Sequence, residues 1–403
     1  MKKLWNRDFV LLLQGSVVST LGDLMYSVAI GYWVFEKTGS SGLMGIMSAV
    51  SMFVTMILSP FAGSIVDKCN RKWVLVGMDL LQACVMLTVG VLVWLDLLNI
   101  PGILIAAFLA AMGSVFYSPA SGTLMIDLIP RDDMVRGQSL FSGATSLVNL
   151  LGSALSGVLV AFLGVPLIVI LNGVSNLYSA LTELFIRVPR TVGQGSPISV
   201  KGTLKDYGRA ALTVFRDPHL SLFVPCILLL NLLTAGPLTL VLPFTAEKGF
   251  TVDMYGYIMA TWIAASLLAV LILGAVKLSP RLRFWVMAVG FSLSGVFLVL
   301  AYLSNLFLPV CVFVFLGAFC NAAGNTVFNA ALMLALPEEN RGTILGFIGA
   351  ASVGGSALSA VAYGCLGDVF PMSLVFAIGT LLSLVPMLYL CFHPRTKAFI
   401  LAN

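Results

Sequence analysis

The sequence predicts an all-α membrane protein: twelve transmembrane helices in two pseudo-symmetric six-helix bundles, with both termini cytoplasmic. Three observations carry this. Apolar residues make up 59% of the 403 residues and charged residues only 10%, so the chain cannot cover itself with a water-compatible surface. Apolar stretches, each about the 17–25 residues that cross a bilayer as helix, recur from Phe9 to Phe392. Of the 22 Lys and Arg, all but Lys37 and Lys248 fall in connections on one face, and basic connections stay cytoplasmic.

Each element follows from the chain in order. The first span, about residues 9–34, begins after Met-Lys-Lys and is too long for a cleaved leader. Spans two and three, about 42–66 and 73–95, are separated by Lys68, Arg71 and Lys72. Spans four and five, about 102–129 and 134–162, are separated by Pro130 and the Arg131–Arg136 turn, and span six, about 165–187, ends at Arg187. Residues 188–218 carry Gly193, Gly195, Ser196, Pro197 and a run of bases. They read as a cytoplasmic linker between an N-terminal bundle, 1–187, and a C-terminal bundle, 219–403; the Lys201–Arg216 stretch suits a short surface helix. Spans seven to twelve fall at about 219–246, 254–276, 284–304, 306–336, 342–367 and 371–392, punctuated by Lys248, Lys277 to Arg283, Arg341 and Arg395.

A weak repeat supports the halves. Pro130 to Arg136-Gly137 in the 4–5 turn is echoed by Pro337 to Arg341-Gly342 in the 10–11 turn, half a chain further on. Parallel six-helix repeats are a known transporter plan. Trp5, Trp33, Trp73, Trp94 and Trp285 lie near span ends, as an interfacial belt requires, while Trp262 is mid-span, where packing or lipid contact is the ordinary role.

The bulk numbers also exclude. A formal charge of +5 is accounted for by the cytoplasmic turns, so no nucleic-acid partner is implied. Six of the seven cysteines lie in spans and Cys69 in a cytoplasmic turn; with no Cys-x-x-Cys or Cys/His cluster, neither a disulfide framework nor a metal centre is set up. No Walker loop, His-Glu-x-x-His or Gly-x-Ser-x-Gly occurs, so no cofactor is expected and the chain does not read as an enzyme. No appended soluble domain argues for a sensor.

The turn after span two reads Gly63-Ser-Ile-Val-Asp67-Lys68-Cys-Asn-Arg71-Lys72. Gly63 permits close helix approach, Asp67 offers a carboxylate to Arg71 or a helix N-terminus, and the bases hold the turn in the cytoplasm. This stretch resembles the signature of the major facilitator superfamily. Gly22-Asp23, Phe35 to Ser40, and Gly113 to Ala120 in span four resemble its macrolide-efflux branch of drug:proton antiporters, whose relatives include lysophospholipid transporters. The resemblance implies a monomeric, multi-pass carrier of the bacterial cytoplasmic membrane. It would export a small hydrophobic or amphipathic compound by alternating access, with protons as coupling ion and no cofactor. A lipid or lysolipid flippase is the alternative. Two departures stand out. Ala106 to Met112 lacks the intramembrane Arg of many relatives, and Gly152-Ser153-Ala-Leu-Ser156-Gly157 has Ser153 where the antiporter motif has Pro. Gly152 and Gly157 still permit close helix packing.

Ionisable groups inside spans are costly and mark function. Asp23, in the middle of span one with no base in that span's interior, is the candidate for proton coupling or a cationic substrate. Asp127 and Arg341 read as parts of a cytoplasmic gate with Gly63, Asp67, Lys68, Arg71 and Lys72. Asp79 is expected to join the charges around Asp67 and Arg71, and Glu183 to be structural. Asn321, Asn325 and Asn329 recur every four residues along one helix face and, with Asn231, suit a cavity wall. Trp262 is a further candidate contact there, and Tyr26 and Tyr117 are candidates for the matching wall of the first half.

Overall fold

The structure, a computed structural model, describes residues 5–66, 69–130, 133–187, 208, 212, 220–276, 279–335 and 341–393, and among them there is no strand. Twelve helices are described: α1 Arg7–Thr38, α2 Ser41–Val66, α3 Arg71–Trp94, α4 Ile100–Leu128, α5 Met134–Leu184, α6 Leu220–Thr239, α7 Val241–Glu247, α8 Val252–Ala275, α9 Pro280–Leu303, α10 Phe307–Ala335, α11 Arg341–Gly367 and α12 Met372–Phe392. Among the described residues ten helices are long and apolar enough to cross a membrane, or eleven if the bent pair α6–α7 is one span. Residues 188–218, with the expected Lys201–Arg216 helix, lie outside the described residues apart from Gly208 and Leu212.

Starts are set by side chains that satisfy orphan helix N–H groups. Asn6 accepts from the Phe9 N–H at 2.8 Å and Asn99 from the Gly102 N–H at 2.9 Å. α1 ends at Gly39, whose φ of 64° is left-handed backbone that glycine adopts without strain.

α5, 51 residues long, is two helices joined at a kink that falls where the fifth and sixth expected spans meet; at about 1.5 Å per residue its whole length far exceeds a bilayer of about 30 Å. It is interrupted at Gly164, with φ 74° and ψ 161°, a region open in practice only to glycine. The expected seventh span is α6 and α7, bent by 54°. Pro243 has no N–H to return to the Thr239 carbonyl, so the helix ladder breaks there.

The contacts divide the chain into two compact units: residues 1–39 with 50–203, and 40–49 with 204–403. In the first, α5 packs against α1 and α3, and α4 packs against α3. Phe9, Leu12, Leu75, Leu124 and Ile186 form an apolar core at one end of this unit. Close approach depends on glycine. A Cβ at Gly90 would lie 3.0 Å from the Ile170 backbone nitrogen, and one at Gly152 would lie 2.8 Å from Leu24 Cδ1. Gly157 is also buried, on the same helix.

In the second unit α9 packs on α10, α10 on α8, and α11 on α6, around a core that includes Ile227, Phe284, Met287, Phe328 and Ile348. Asp368 accepts from Ser40 Oγ at 2.8 Å and from the Gly42 N–H at 3.1 Å, holding the start of α2 in this unit. Glu247, at the end of α7, takes the N–H groups of Met372 and Ser373, the opening residues of α12. Tyr363 is wedged between α6 and α12: any Cβ at Gly236 or Gly379 would collide with its ring or hydroxyl. Phe376 stacks on Phe244 at 5.7 Å.

Four of the five span-end tryptophans are exposed, but Trp33 is 7% exposed and buried within the protein rather than set in a belt. It lies a turn inside the long α1, whose last turns pack on neighbours.

Gly90→Val is expected to destabilise the first unit by about 1–3 kcal/mol, because the new methyls meet backbone that cannot swing aside. Gly77→Ala, with nothing described within 4 Å, is the control. Thermal unfolding in detergent should show a lower midpoint for the first and no change for the second.

Candidate functional site

Three acids, Asp23, Asp79 and Glu183, lie within spans of the first unit and gather with neutral polar side chains in its interior. α1 contributes Ser16, Asp23 and Tyr26; α3 contributes Asp79; α4 contributes Tyr117; α5 contributes Asn172, Asn176, Ser179 and Glu183. The Tyr117 hydroxyl donates to Glu183 Oε1 at 3.1 Å and lies 2.9 Å from Ser16 Oγ. Asn176 Nδ2 donates to the Asn172 carbonyl at 3.0 Å and to its Oδ1 at 2.9 Å. Asn172 and Asn176 face Asp23, whose charge also acts on Tyr26 and Asp79. Asp79 adjoins Ser179 and acts on Glu183. Gly22 brings α1 in to this spacing, since a Cβ there would run into Ser175 and Asn172.

This corrects the expected place of Asp79. It is 1% exposed and faces the polar interior instead of joining Arg71, because it lies two turns along α3 from that residue. Glu183 is fully buried in the same cluster. Arg71 instead forms an ion pair with Asp127, and Lys72 Nζ donates to the Leu184 carbonyl at 2.7 Å, which ties together one end of α3, α4 and α5. Asp67, Lys68 and Arg131 lie outside the described residues, as does the side chain of Arg341, where α11 starts. A Cβ on Gly63 would meet nothing within 4 Å among the described residues.

The second unit holds a cavity of about 280 Å³ with a different chemistry. Asn231, Trp262, Asn321 and Asn325, four of the residues singled out by sequence, line it together. Asn329, one turn beyond Asn325, is exposed and is not part of the lining. Asn325 Nδ2 donates to Asn321 Oδ1 at 2.8 Å, and Asn231 Nδ2 donates to the Ile227 carbonyl at 2.9 Å. Sequence reasoning missed Thr234, Ser294, Tyr302, Thr380 and Ser383, which also line it. Thr234 and Ser383 donate to helix carbonyls at 2.8 and 2.7 Å, so their oxygens are left as acceptors. Among the described residues no charged side chain lines the cavity. A small neutral molecule bearing N–H or O–H groups and an apolar face would be complementary to it.

Comparisons with known proteins agree with this architecture. A family model described as Major Facilitator Superfamily matches residues 12–275 and 225–400. Macrolide efflux protein A of Streptococcus pyogenes is 21% identical over 186 residues, 46% of each chain. The MFS-type transporter YkuC of Bacillus subtilis (strain 168) is 24% identical over 262 residues, 62% of this chain and 59% of that one. The chain thus spans about half the length of the curated relatives it matches. A bacterial homologue of the human lysosomal transporter Spinster, in an inward-facing and unoccupied conformation, superposes with a TM-score of 0.73 at 13% identity, over 99% of this chain and 97% of that one. This last likeness speaks to fold alone.

Tyr117→Phe removes the donor to Glu183 and leaves Ser16 facing an apolar ring. It is expected to cost about 1–3 kcal/mol of stability, the penalty of an unsatisfied buried acceptor. A lowered unfolding midpoint in detergent, with unchanged helix content, is the outcome that checks this.

Proposed function

The chain belongs to the Major Facilitator Superfamily, and from that premise we propose that it exports a small amphipathic or hydrophobic compound by proton antiport with alternating access. The reading has twelve spans, with α5 crossing twice around Gly164 and both termini cytoplasmic. The bundles are 1–187 and 219–403, joined by the cytoplasmic linker 188–218. The setting is a bacterial cytoplasmic membrane, and the working unit is a monomer.

The observation that carries the reading is the uncharged cavity of the second unit, where Asn231, Trp262, Asn321 and Asn325 converge. Its aromatic walls suit an apolar scaffold, and its acceptor oxygens suit hydroxyl or amine donors on that scaffold. The absence of any ionised lining residue favours cargo that is neutral where it is bound there. Similarity to a macrolide efflux protein favours outward movement of such cargo.

Energy supply is assigned to the first unit. Asp23 lies mid-span beside Asn172 and Asn176 with no basic side chain acting on it, the setting of an intramembrane proton carrier. Arg71 with Asp127 closes the cytoplasmic ends of the first-unit helices and is assigned to the gate, with Gly63, Asp67, Lys68, Lys72 and Arg341.

Purified protein in liposomes with an imposed pH gradient tests this, using macrolides, hydrophobic cations and lysolipids as the panel. Gradient-driven efflux of a neutral or macrolide compound that disappears in Asp23→Asn is the expected result. Efflux that ignores the gradient and survives the substitution would overturn proton coupling at Asp23. For the transported compound, Trp262→Ala is expected to raise KM about tenfold, equivalent to about 1.4 kcal/mol of lost contact. The gradient dependence should stay intact.

A further inference from the structure

We propose that Asn321 and Asn325 form a recognition site for a carboxamide-type group, an uncharged C=O beside an N–H as on a primary amide or lactam, carried at one end of an apolar molecule. The inference rests on the export reading above and gives the cargo of the second-unit cavity a chemical class.

The argument is a count of amide hydrogens. Asn325 Nδ2 has two, and both are used, one on the Asn321 carbonyl at 3.0 Å and one on Asn321 Oδ1 at 2.8 Å. What remains is the N–H₂ of Asn321 and the Oδ1 of Asn325, neither of which has a hydrogen-bond partner among the described residues. The two side chains stand at i and i+4 on α10, share one face and line the same cavity, with Asn321 half-buried and Asn325 exposed. A free donor and a free acceptor on two amides already bonded to each other complement a cargo that offers an acceptor and a donor side by side. Asn231 is the contrast. Its Nδ2 donates to the Ile227 carbonyl at 2.9 Å and its Oδ1 accepts from Ser356 of α11 at 3.3 Å, so that amide spends both ends on the protein. A pair on α10 serving helix packing alone would do the same.

The cavity also sets how such a molecule lies. Tyr257 of α8 meets Phe307 of α10 with 6.5 Å between ring centres, and four residues on in each helix Thr261 adjoins Cys311. The two helices therefore run in the same direction. Trp262 directly follows Thr261, whereas Asn321 lies ten residues beyond Cys311, so the amides sit about 13 Å further along the helix axis than the indole. At the amide end the walls are apolar: Phe291 packs against Gly324, next to Asn325, and Phe328 lines the cavity one turn on. The volume of about 280 Å³ is just under the roughly 300–1,000 Å³ of sites for drug-sized ligands. A slender molecule with an amide head and an apolar body reaching toward Trp262 fits these limits. With no charged side chain among the described lining, the acid or amine analogue of the head leaves its charge uncompensated.

The test is titration calorimetry of the full-length protein in detergent with three probes that share one body: ω-phenylhexanamide, methyl ω-phenylhexanoate and the ω-phenylhexanoate anion. The amide is expected to bind at least about tenfold more tightly than the other two, because a site that pairs an N–H rejects analogues lacking it. The ester enters micelles at least as readily as the amide, so partition into detergent predicts the opposite order. Asn321→Ala should weaken the amide about tenfold and leave the ester unchanged, while Trp262→Ala should weaken amide and ester alike. If Asn321→Ala does not fold, the ranking of the three probes on the wild type decides alone. Ester binding as tight as amide binding, or no binding by any probe, overturns the proposal. An amide preference that survives Asn321→Ala overturns its assignment to this pair. Amide preference without gradient-driven efflux in liposomes sinks the export reading alone, and efflux without amide preference sinks this one alone.

Discussion

A bilayer interior offers polar groups no water, and the arrangement of this protein follows from that constraint. Backbone groups are satisfied within helices, so the described chain is helical. Side-chain charge is sorted. Ion pairs are held at helix ends, as in Arg71 with Asp127 and Lys37 with Asp96, while the acids inside the spans cluster among neutral hydrogen-bonding groups in the first unit. The second unit keeps its lining uncharged. The same rule that makes an isolated carboxylate costly makes a cluster of them informative.

Much of the fold was legible because hydropathy and basic turns report the same constraint from two directions. Nearly every helix end lies within about four residues of its expected place. The exceptions are local. Pro243 alters the backbone without changing hydropathy, so apolar runs alone could not foretell that α7 turns away from α6. Trp33 was read by its distance from a span end, yet burial depends on which side of α1 it occupies.

The site was legible in part, for a related reason. Asn231, Asn321 and Asn325 stand out because amides are rare on apolar helices, and the cavity gathers them. Asp79 was misplaced from its position along the chain, since nearness to a span end says nothing about which helix face carries it. The pair Asn172 and Asn176, followed by Glu183, has the four-residue spacing that drew attention to α10 and was available to find the cluster. Thr234, Thr380 and Ser383 carry no comparable signal, because hydroxyls on helices so often bond their own backbone.

Tyr363 has a consequence for how this sequence can change. Its ring fills the space beside Gly236 and its hydroxyl the space beside Gly379, on helices more than a hundred residues apart in the chain. Neither glycine can acquire even a methyl while the tyrosine stays, and losing the tyrosine leaves a void that two glycines cannot fill. The three positions are therefore a single heritable character: relatives that differ at one should differ at the others, and the α6–α11–α12 seam drifts as a block.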